Sequence, residues 1–281
     1  MKNKKIIVTS ESNLIDCLKI HGLSKNKVKT YVKLGVISVN GRVIKKLPFL
    51  VKEQDEIIIS DNSDQMYSLD IVYEDDHYLV INKEAGLLTI STSNQTKNRE
   101  DTLYRRVRAY LNQKHEYAFI VNRIDKETSG LVIFVKSEGL KNKLQNHWNQ
   151  IVKKRGYIAV VSGKIAKQGR IDNYLYEDKM TFSHSTKVGG KRAITNYRPI
   201  RMSERYTMLD IDIETGRKNQ IRVHLTELNH PIVGDKKYYS KDNSLKRLAL
   251  HHYEISFADP FTGKLLTFTS EVPNEFYQLF R

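Results

Sequence analysis

The hydrophobic pattern divides the chain into two stretches of different rhythm. In the first sixty residues, Leu14, Ile15, Leu18 and Ile20 fall at helical spacing and Gly22 ends the run. Ser24 stands as N-cap of a second helix through Lys33, with Val28, Tyr31, Val32 and Leu34 on its inner face and Gly35 at its stop. Val36 to Val39, then Asn40-Gly41, then Arg42-Val-Ile predict a strand, a type I′ turn and a return strand, since both central turn positions need positive φ. Glu56-Ile-Ile-Ile closes this small αβ unit. Ser60-Asp-Asn-Ser-Asp-Gln, rich in turn formers, predicts a linker.

Beyond it strands dominate. Leu69 to Tyr73 and Tyr78 to Asn82 predict a strand pair, and Thr102 to Gln113 a basic helix carrying Arg105, Arg106 and Arg108. Ala118 to Val121 and Leu131 to Val135 predict short buried strands flanking a polar loop, with a helix over 138–150 to follow. Further strands are expected over 157–161, 194–200, 208–213 and 248–257. Ile221, Leu225 and Leu228 keep helical spacing, Phe261-Thr-Gly-Lys predicts a hairpin, and 276–280 a last short helix. Many strands with scattered helices and no βαβ alternation predict an α+β fold on a mostly antiparallel mixed sheet, with domains at 1–62 and 63–281.

Charge changes this picture. The 281 residues carry 47 Lys and Arg against 32 Asp and Glu, a formal net charge of +15. Such an excess favours a polyanionic partner through phosphate neutralisation, although a Lys-rich solvated surface has the same composition. Distribution separates the two. From Cys17 to Lys52 there are nine basic residues (Lys19, Lys25, Lys27, Lys29, Lys33, Arg42, Lys45, Lys46, Lys52) and no acid. An acid-free window of that length predicts a binding face. No apolar run approaches the ~20 residues needed to span a bilayer. The N-terminus is too weakly apolar for a secretory signal, and a lone Cys17 cannot form an internal disulfide, so a cytoplasmic location is expected.

The small unit, through Gly22-Leu-Ser-Lys-Asn-Lys-Val and Gly35-Val-Ile-Ser-Val-Asn-Gly-Arg-Val, resembles the RNA-binding module first described in ribosomal protein S-four. That resemblance implies that Lys25, Lys27, Lys29, Lys33 and Arg42 grip RNA backbone. In the larger stretch, Asn122-Arg-Ile-Asp-Lys-Glu-Thr-Ser-Gly130 sets Asp125 in a polar loop between two apolar strands. By itself this reads as an ordinary solvated turn. Three companions stand in order with it: Glu74-Asp-Asp-His-Tyr-Leu-Val-Ile-Asn-Lys-Glu-Ala-Gly-Leu, Lys153-Lys-Arg-Gly-Tyr-Ile-Ala-Val-Val-Ser-Gly, and Thr215-Gly-Arg-Lys-Asn-Gln-Ile-Arg-Val-His-Leu continuing to Asn229-His-Pro-Ile-Val-Gly-Asp-Lys-Lys-Tyr-Tyr. Together, over about residues 68–258, they resemble the RluA/RluD-type pseudouridine synthases.

The resemblance implies an isomerase that converts specific uridines in structured RNA, with large-subunit ribosomal RNA favoured over tRNA. It implies Asp125 as the catalytic aspartate and Tyr157 as the tyrosine packing on the target base. It further implies Arg222 as the arginine paired with the aspartate, and Arg123 as the arginine associated with the place the flipped-out nucleotide vacates. A guanidinium so placed would hold Asp125 ionised through bidentate hydrogen bonds. Moving uracil from a nitrogen link to a carbon link on the same sugar is redox-neutral and transfers nothing to another molecule, so no cofactor is expected. His224, His251 and His252 show no metal-ligand spacing, so no metal is expected. A monomer and no DNA partner complete the expectations. Taken singly, Tyr157 would be a half-buried strand tyrosine and Arg222 an exposed helix arginine. Asn122 and Asn219 stand where histidines are usual, and Glu84 where a proline is. The competing reading is a non-catalytic RNA-binding or ribosome-assembly factor that retains the fold. An aspartate-dependent glycosidase or nuclease would need a second carboxylate or an acidic metal cluster, and only Glu127 lies near.

Overall fold

The structure, a computed structural model, describes residues 4–33, 35–44, 46–59, 69–91, 101–178, 182–186, 189–238 and 240–281, without the side chains of Thr30 and Lys33. The linker expected at Ser60 to Gln65 lies outside the described residues. The chain divides into two compact units. The first comprises Met1–Ser68, Ser91–Asp101 and Arg105–Glu116; the second comprises Leu69–Ile90, Thr102–Tyr104 and Tyr117–Arg281.

In the first unit β1 (Lys4–Ile7), β2 (Ser12–Asn13), α1 (Leu14–Ile20), α2 (Lys25–Lys33), β3 (Ile37–Val39), β4 (Arg42–Val43), β5 (Leu50–Val51) and β6 (Glu56–Ile59) follow in order. β6 lies between β1 and β3, and β3 pairs with β4. Asn13 caps α1 by accepting the Ile15 N–H, and the Ser24 hydroxyl accepts the Lys27 N–H at the start of α2. Asn40 and Gly41 both take positive φ, as the type I′ turn requires. Leu14, Leu18, Val28, Val32, Ile37 and Ile57 form the core, which leaves Lys25, Lys27 and Lys29 of α2 facing solvent. β1, whose two lysines mask its apolar alternation, escaped the sequence pattern.

The second unit is built on an eleven-stranded sheet: β7 (Ile71–Glu74), β8 (Tyr78–Lys83), β9 (Phe119–Ile120), β10 (Ser129–Val135), β11 (Val152–Ser162), β12 (Gly169–Glu177), β13 (Ser183–Thr186), β14 (Lys191–Met202), β15 (Tyr206–Ile213), β16 (Leu250–Ala258) and β17 (Leu265–Thr269). Their order is β13-β12-β14-β15-β11-β16-β10-β8-β7, with β17 beside β16 and β9 beside β10. Among these pairings only β10 with β16 is parallel. The helices are α3 (Leu103–Gln113), which spans the division between the units, α4 (Glu138–Ile151), α5 (Gln220–Glu227) and α6 (Asn274–Gln278). The sheet is therefore mixed and largely antiparallel, as expected. β12 and β13 were not foreseen: β12 turns Asn173 inward, and its amide is satisfied there by His224 rather than excluded. No described helix is long and apolar enough to cross a membrane.

Candidate active site

Three strands and one helix bring the chemistry together. β10 is buried throughout, and its parallel contact with β16 sets Gly130 directly against His252. Gly130 has φ +115°, and a Cβ there would lie 2.2 Å from the His252 carbonyl oxygen, so only glycine passes. The loop before it is tied down from several sides. The Asn122 carboxamide oxygen accepts the Ile133 N–H at 2.7 Å, and the Thr89 hydroxyl donates to the Ile124 carbonyl at 2.7 Å. Lys83, fully buried, donates to the carbonyls of Glu84, Leu87 and Lys126 at 2.8, 2.7 and 3.1 Å. Burial pulls its pKa down to about 7. Lys83 thus grips the residue that follows Asp125, a function its place in a strand motif does not announce.

Asp125, with 27% of its side chain exposed, emerges from this loop beside α5. The start of α5 is fastened to β14 by Gln220, whose amide donates to the Ile194 carbonyl and the Thr195 hydroxyl. Two residues on, Arg222 is buried. Its Nε and Nη2 donate to Asp235 at 2.8 and 2.7 Å, its Nη1 donates to the Asn219 carboxamide oxygen at 3.1 Å, and that same Nη1 stands 3.7 Å from Asp125 Oδ2. The expected bidentate pairing of Arg222 with Asp125 is therefore corrected: the planar fork belongs to Asp235. The cause is local. Asp235 has no exposed side-chain surface and already accepts the Lys237 and Tyr238 backbone N–H groups, so its carboxylate is fixed before it meets the guanidinium. Asp125 receives the third edge, an ion pair without a close hydrogen bond.

The electrostatics follow. Burial pushes the Asp125 carboxyl above its ordinary pKa, opposed by the charges of Arg222 and Lys237 and by the Asn219 backbone N–H. Burial also works against the Arg222 charge, but the Asp235 hydrogen bonds and charge outweigh it, and its pKa stands above the usual guanidinium value. Tyr157 lies on β11 where the register with β16 shifts after Gly156, and its ring stacks on His252 with centroids 4.4 Å apart and planes 14° from parallel. Burial, then the Asp125 charge, raises its hydroxyl pKa, so it stays a neutral phenol. His252 donates through Nδ1 to the Leu131 carbonyl, 2.8 Å away, and burial lowers its pKa to about 4.

Asp125, Arg222 and Tyr157 are thus brought together, and Arg123 lies two residues before Asp125, exposed in the same loop. Lys25, Lys27, Lys29 and Arg42 are exposed in the first unit, while the side chain of Lys33 lies outside the described residues. Arg105 and Arg106 on α3 are half-buried, and Arg106 pairs with Asp101 at 2.6 Å. Asn122 and Asn219 both act as hydrogen-bonding spacers, one to a strand and one to Arg222, which a non-titrating amide does as well as an imidazole. Sequence reasoning missed Asp235, Lys237 and Lys83. Asp235 sits in the quoted Gly-Asp-Lys-Lys-Tyr-Tyr run, but nothing in that run points to Arg222. A separate open groove of about 470 Å³ over β14 and β15 includes Arg170, Arg198 and Asp210, whose charges are largely paired among neighbours. It lacks the converging groups found around Asp125.

The family profile described as RNA pseudouridylate synthase matches residues 77–227. The chain is 31% identical over 282 residues to ribosomal large subunit pseudouridine synthase D of Neisseria meningitidis serogroup B, covering 91% of this chain and 74% of that one. It is also 31% identical over 252 residues to an uncharacterized RNA pseudouridine synthase, YhcT, of Bacillus subtilis, covering 86% of this chain and 82% of that one. Among solved structures, human RNA pseudouridylate synthase domain containing 1 has a similar fold, with a TM-score of 0.60 at 18% identity over 74% of this chain and 84% of that one.

Proposed function

The chain belongs to the RNA pseudouridylate synthase family, and from that premise we propose that Asp125 is its catalytic nucleophile and large-subunit ribosomal RNA its substrate. Family membership makes it an isomerase that converts uridine to pseudouridine in RNA. The bond from C1′ to uracil N1 breaks, the base turns, and C1′ joins C5; C5 loses its proton and N1 regains one.

The observation that carries the assignment is the division of labour around Arg222. Asp235 fixes the guanidinium by two hydrogen bonds, which leaves Asp125 within reach of its charge at 3.7 Å but not hydrogen-bonded to it. A carboxylate held in a bidentate fork spends both oxygens on the partner. One beside a fixed charge keeps an oxygen for attack, at the sugar carbon or the base. The target atoms are hidden in a stacked helix, so the nucleotide must be extruded. Tyr157, held flat by His252, offers its face to the extruded base, and Arg123 reaches from the loop toward the place left behind. The exposed Lys25, Lys27, Lys29 and Arg42, with Lys33, grip RNA backbone in an S-four-type manner, residues 1–62 serving binding and 63–281 chemistry. The protein acts as a cytoplasmic monomer. The Neisseria relative's role as a large-subunit synthase supports ribosomal RNA over tRNA.

The test uses unmodified large-subunit ribosomal RNA transcribed with uridine tritiated at C5, since the reaction releases that hydrogen. Wild type should release tritium, and Asp125→Asn should fall to background while keeping its RNA affinity, which the basic surface supplies. Near-normal release by Asp125→Asn rejects the nucleophile. A wild type inert on every RNA returns the non-catalytic reading. Replacing Lys25, Lys27 and Lys29 by Ala should reduce the log–log salt slope of binding by ~0.7–0.9 for each phosphate no longer neutralised.

A further inference from the structure

Extruding a uridine strips its neighbours of their stacking partner, and the second unit carries aromatic surface beside the site that the reaction does not use. From Asp125 a series of close spacings runs outward. Arg222 stands 3.7 Å from Asp125, and its guanidinium carbon lies 5.3 Å from the Tyr238 ring centre. Tyr238 meets Phe182 edge-on at 5.9 Å, Phe182 lies 6.2 Å from His184, and His184 lies 5.6 Å from Tyr176. Lys237 Nζ sits 4.8 Å above Phe182, and its charge favours the ionised form of Asp125.

The outer pair is set by sheet register: Tyr176 on β12 and His184 on β13 are directly opposed, so their rings share a face. They belong to no core. Tyr176 is 45% exposed and the His184 side chain 46%. The hairpin's acids do not oppose an incoming phosphate as bare charges, since Glu177 pairs with Lys218 and Asp178 meets His184 Nε2 at 2.9 Å. The Tyr238 hydroxyl accepts the Ser183 N–H at 3.0 Å, and the Ser183 hydroxyl donates to the Lys218 carbonyl at 2.8 Å, which ties the hairpin to the segment bearing Asn219 and Arg222. The platform is therefore held in register with Arg222.

We infer that this end of the β12–β13 hairpin holds the RNA nucleotide flanking the extruded uridine, its base stacked on His184 and Tyr176 and its phosphate at Lys237. The inference rests on the RNA-modifying role proposed above. Exposed aromatic rings interleaved with cations are what single-stranded RNA recognises, independent of base identity.

The test compares full-length wild type with Tyr176→Ala and His184→Ala, and with the ring-retaining Tyr176→Phe and His184→Phe, on the tritiated ribosomal transcript. Each alanine change should raise KM by roughly 5- to 100-fold, with the loss carried by KM rather than kcat, and each Phe change should recover most of it. A second arm uses synthetic RNA around the converted uridine with an abasic residue at either flank. On one flank wild type should fall to the level of the Tyr176→Ala/His184→Ala double variant, and that variant should lose nothing more. An active wild type whose KM survives both alanine changes, or whose loss on abasic RNA simply adds to theirs, overturns the platform alone. A wild type inactive on all RNA removes the parent reading with it.

Discussion

Replacing Asp235 tests the arrangement that distinguishes this site. Asp235→Asn keeps the shape and one acceptor oxygen, so the Lys237 and Tyr238 N–H groups and Arg222 Nη2 retain a partner. The new amide, however, turns a donor toward Arg222 Nε, and the buried guanidinium loses the fully buried carboxylate that neutralises it, with Asp125 remaining at 3.7 Å. Breaking a buried ion pair from one side costs about 3–5 kcal/mol. The retained bonds put Asn at about 3 kcal/mol, and Asp235→Ala, which also orphans two backbone amides, at about 5 kcal/mol. Urea unfolding followed by Trp148, the one tryptophan and packed against the second unit's core, reads this as a lower midpoint at unchanged slope. The melting temperature should fall by about 6–12 °C for Asn. Arg222, released from its fork, should close on Asp125, draw its pKa down and shift the acid limb of activity to lower pH. If both variants unfold within about 1 kcal/mol of wild type, Asp235 does not hold Arg222.

Burial raises the Asp125 pKa, so activity should be lost on acidification at a pH above the ordinary 3.8 of an aspartate, as a kcat/KM profile would show. The folded state then binds more protons than the unfolded between those two pKa values. Its stability therefore falls as pH rises through the folded pKa, and Asp125→Asn should be no less stable than wild type at pH 7 in the same urea titration. Lys83→Met should lower kcat more than KM and destabilise by about 1–3 kcal/mol per carbonyl left bare, with the Lys126 carbonyl still served by the Gly86 N–H. A Lys83→Met enzyme with normal kcat would show that the grip on the loop is irrelevant. Gly130→Ala should lose about 4 kcal/mol or more, because the added Cβ meets backbone on a buried strand; a melting curve like that of wild type would refute the close approach.

Local physics made much of this protein legible from its residues. The Asn40-Gly41 turn, the α1 and α2 boundaries and the apolar run Leu131–Val135 of β10 are fixed by φ preferences, capping and burial within a few residues, so the pattern predicts them. Asp125, Tyr157 and Arg222 are singled out not by local physics but by the family resemblance of the four ordered motifs. Other features depend on partners distant in sequence. Asn173 inside β12 is tolerable because His224, 51 residues on, meets its amide oxygen and the Ser185 hydroxyl accepts from its amide nitrogen. The stack of Tyr157 on His252 needs the register shift between β11 and β16. The sequence can say that Arg222 wants a carboxylate, but two stand near it. Which one takes the fork was decided in three dimensions, where the fully buried Asp235, already fixed by two backbone amides, outcompetes the partly exposed Asp125 and leaves it 3.7 Å from the guanidinium.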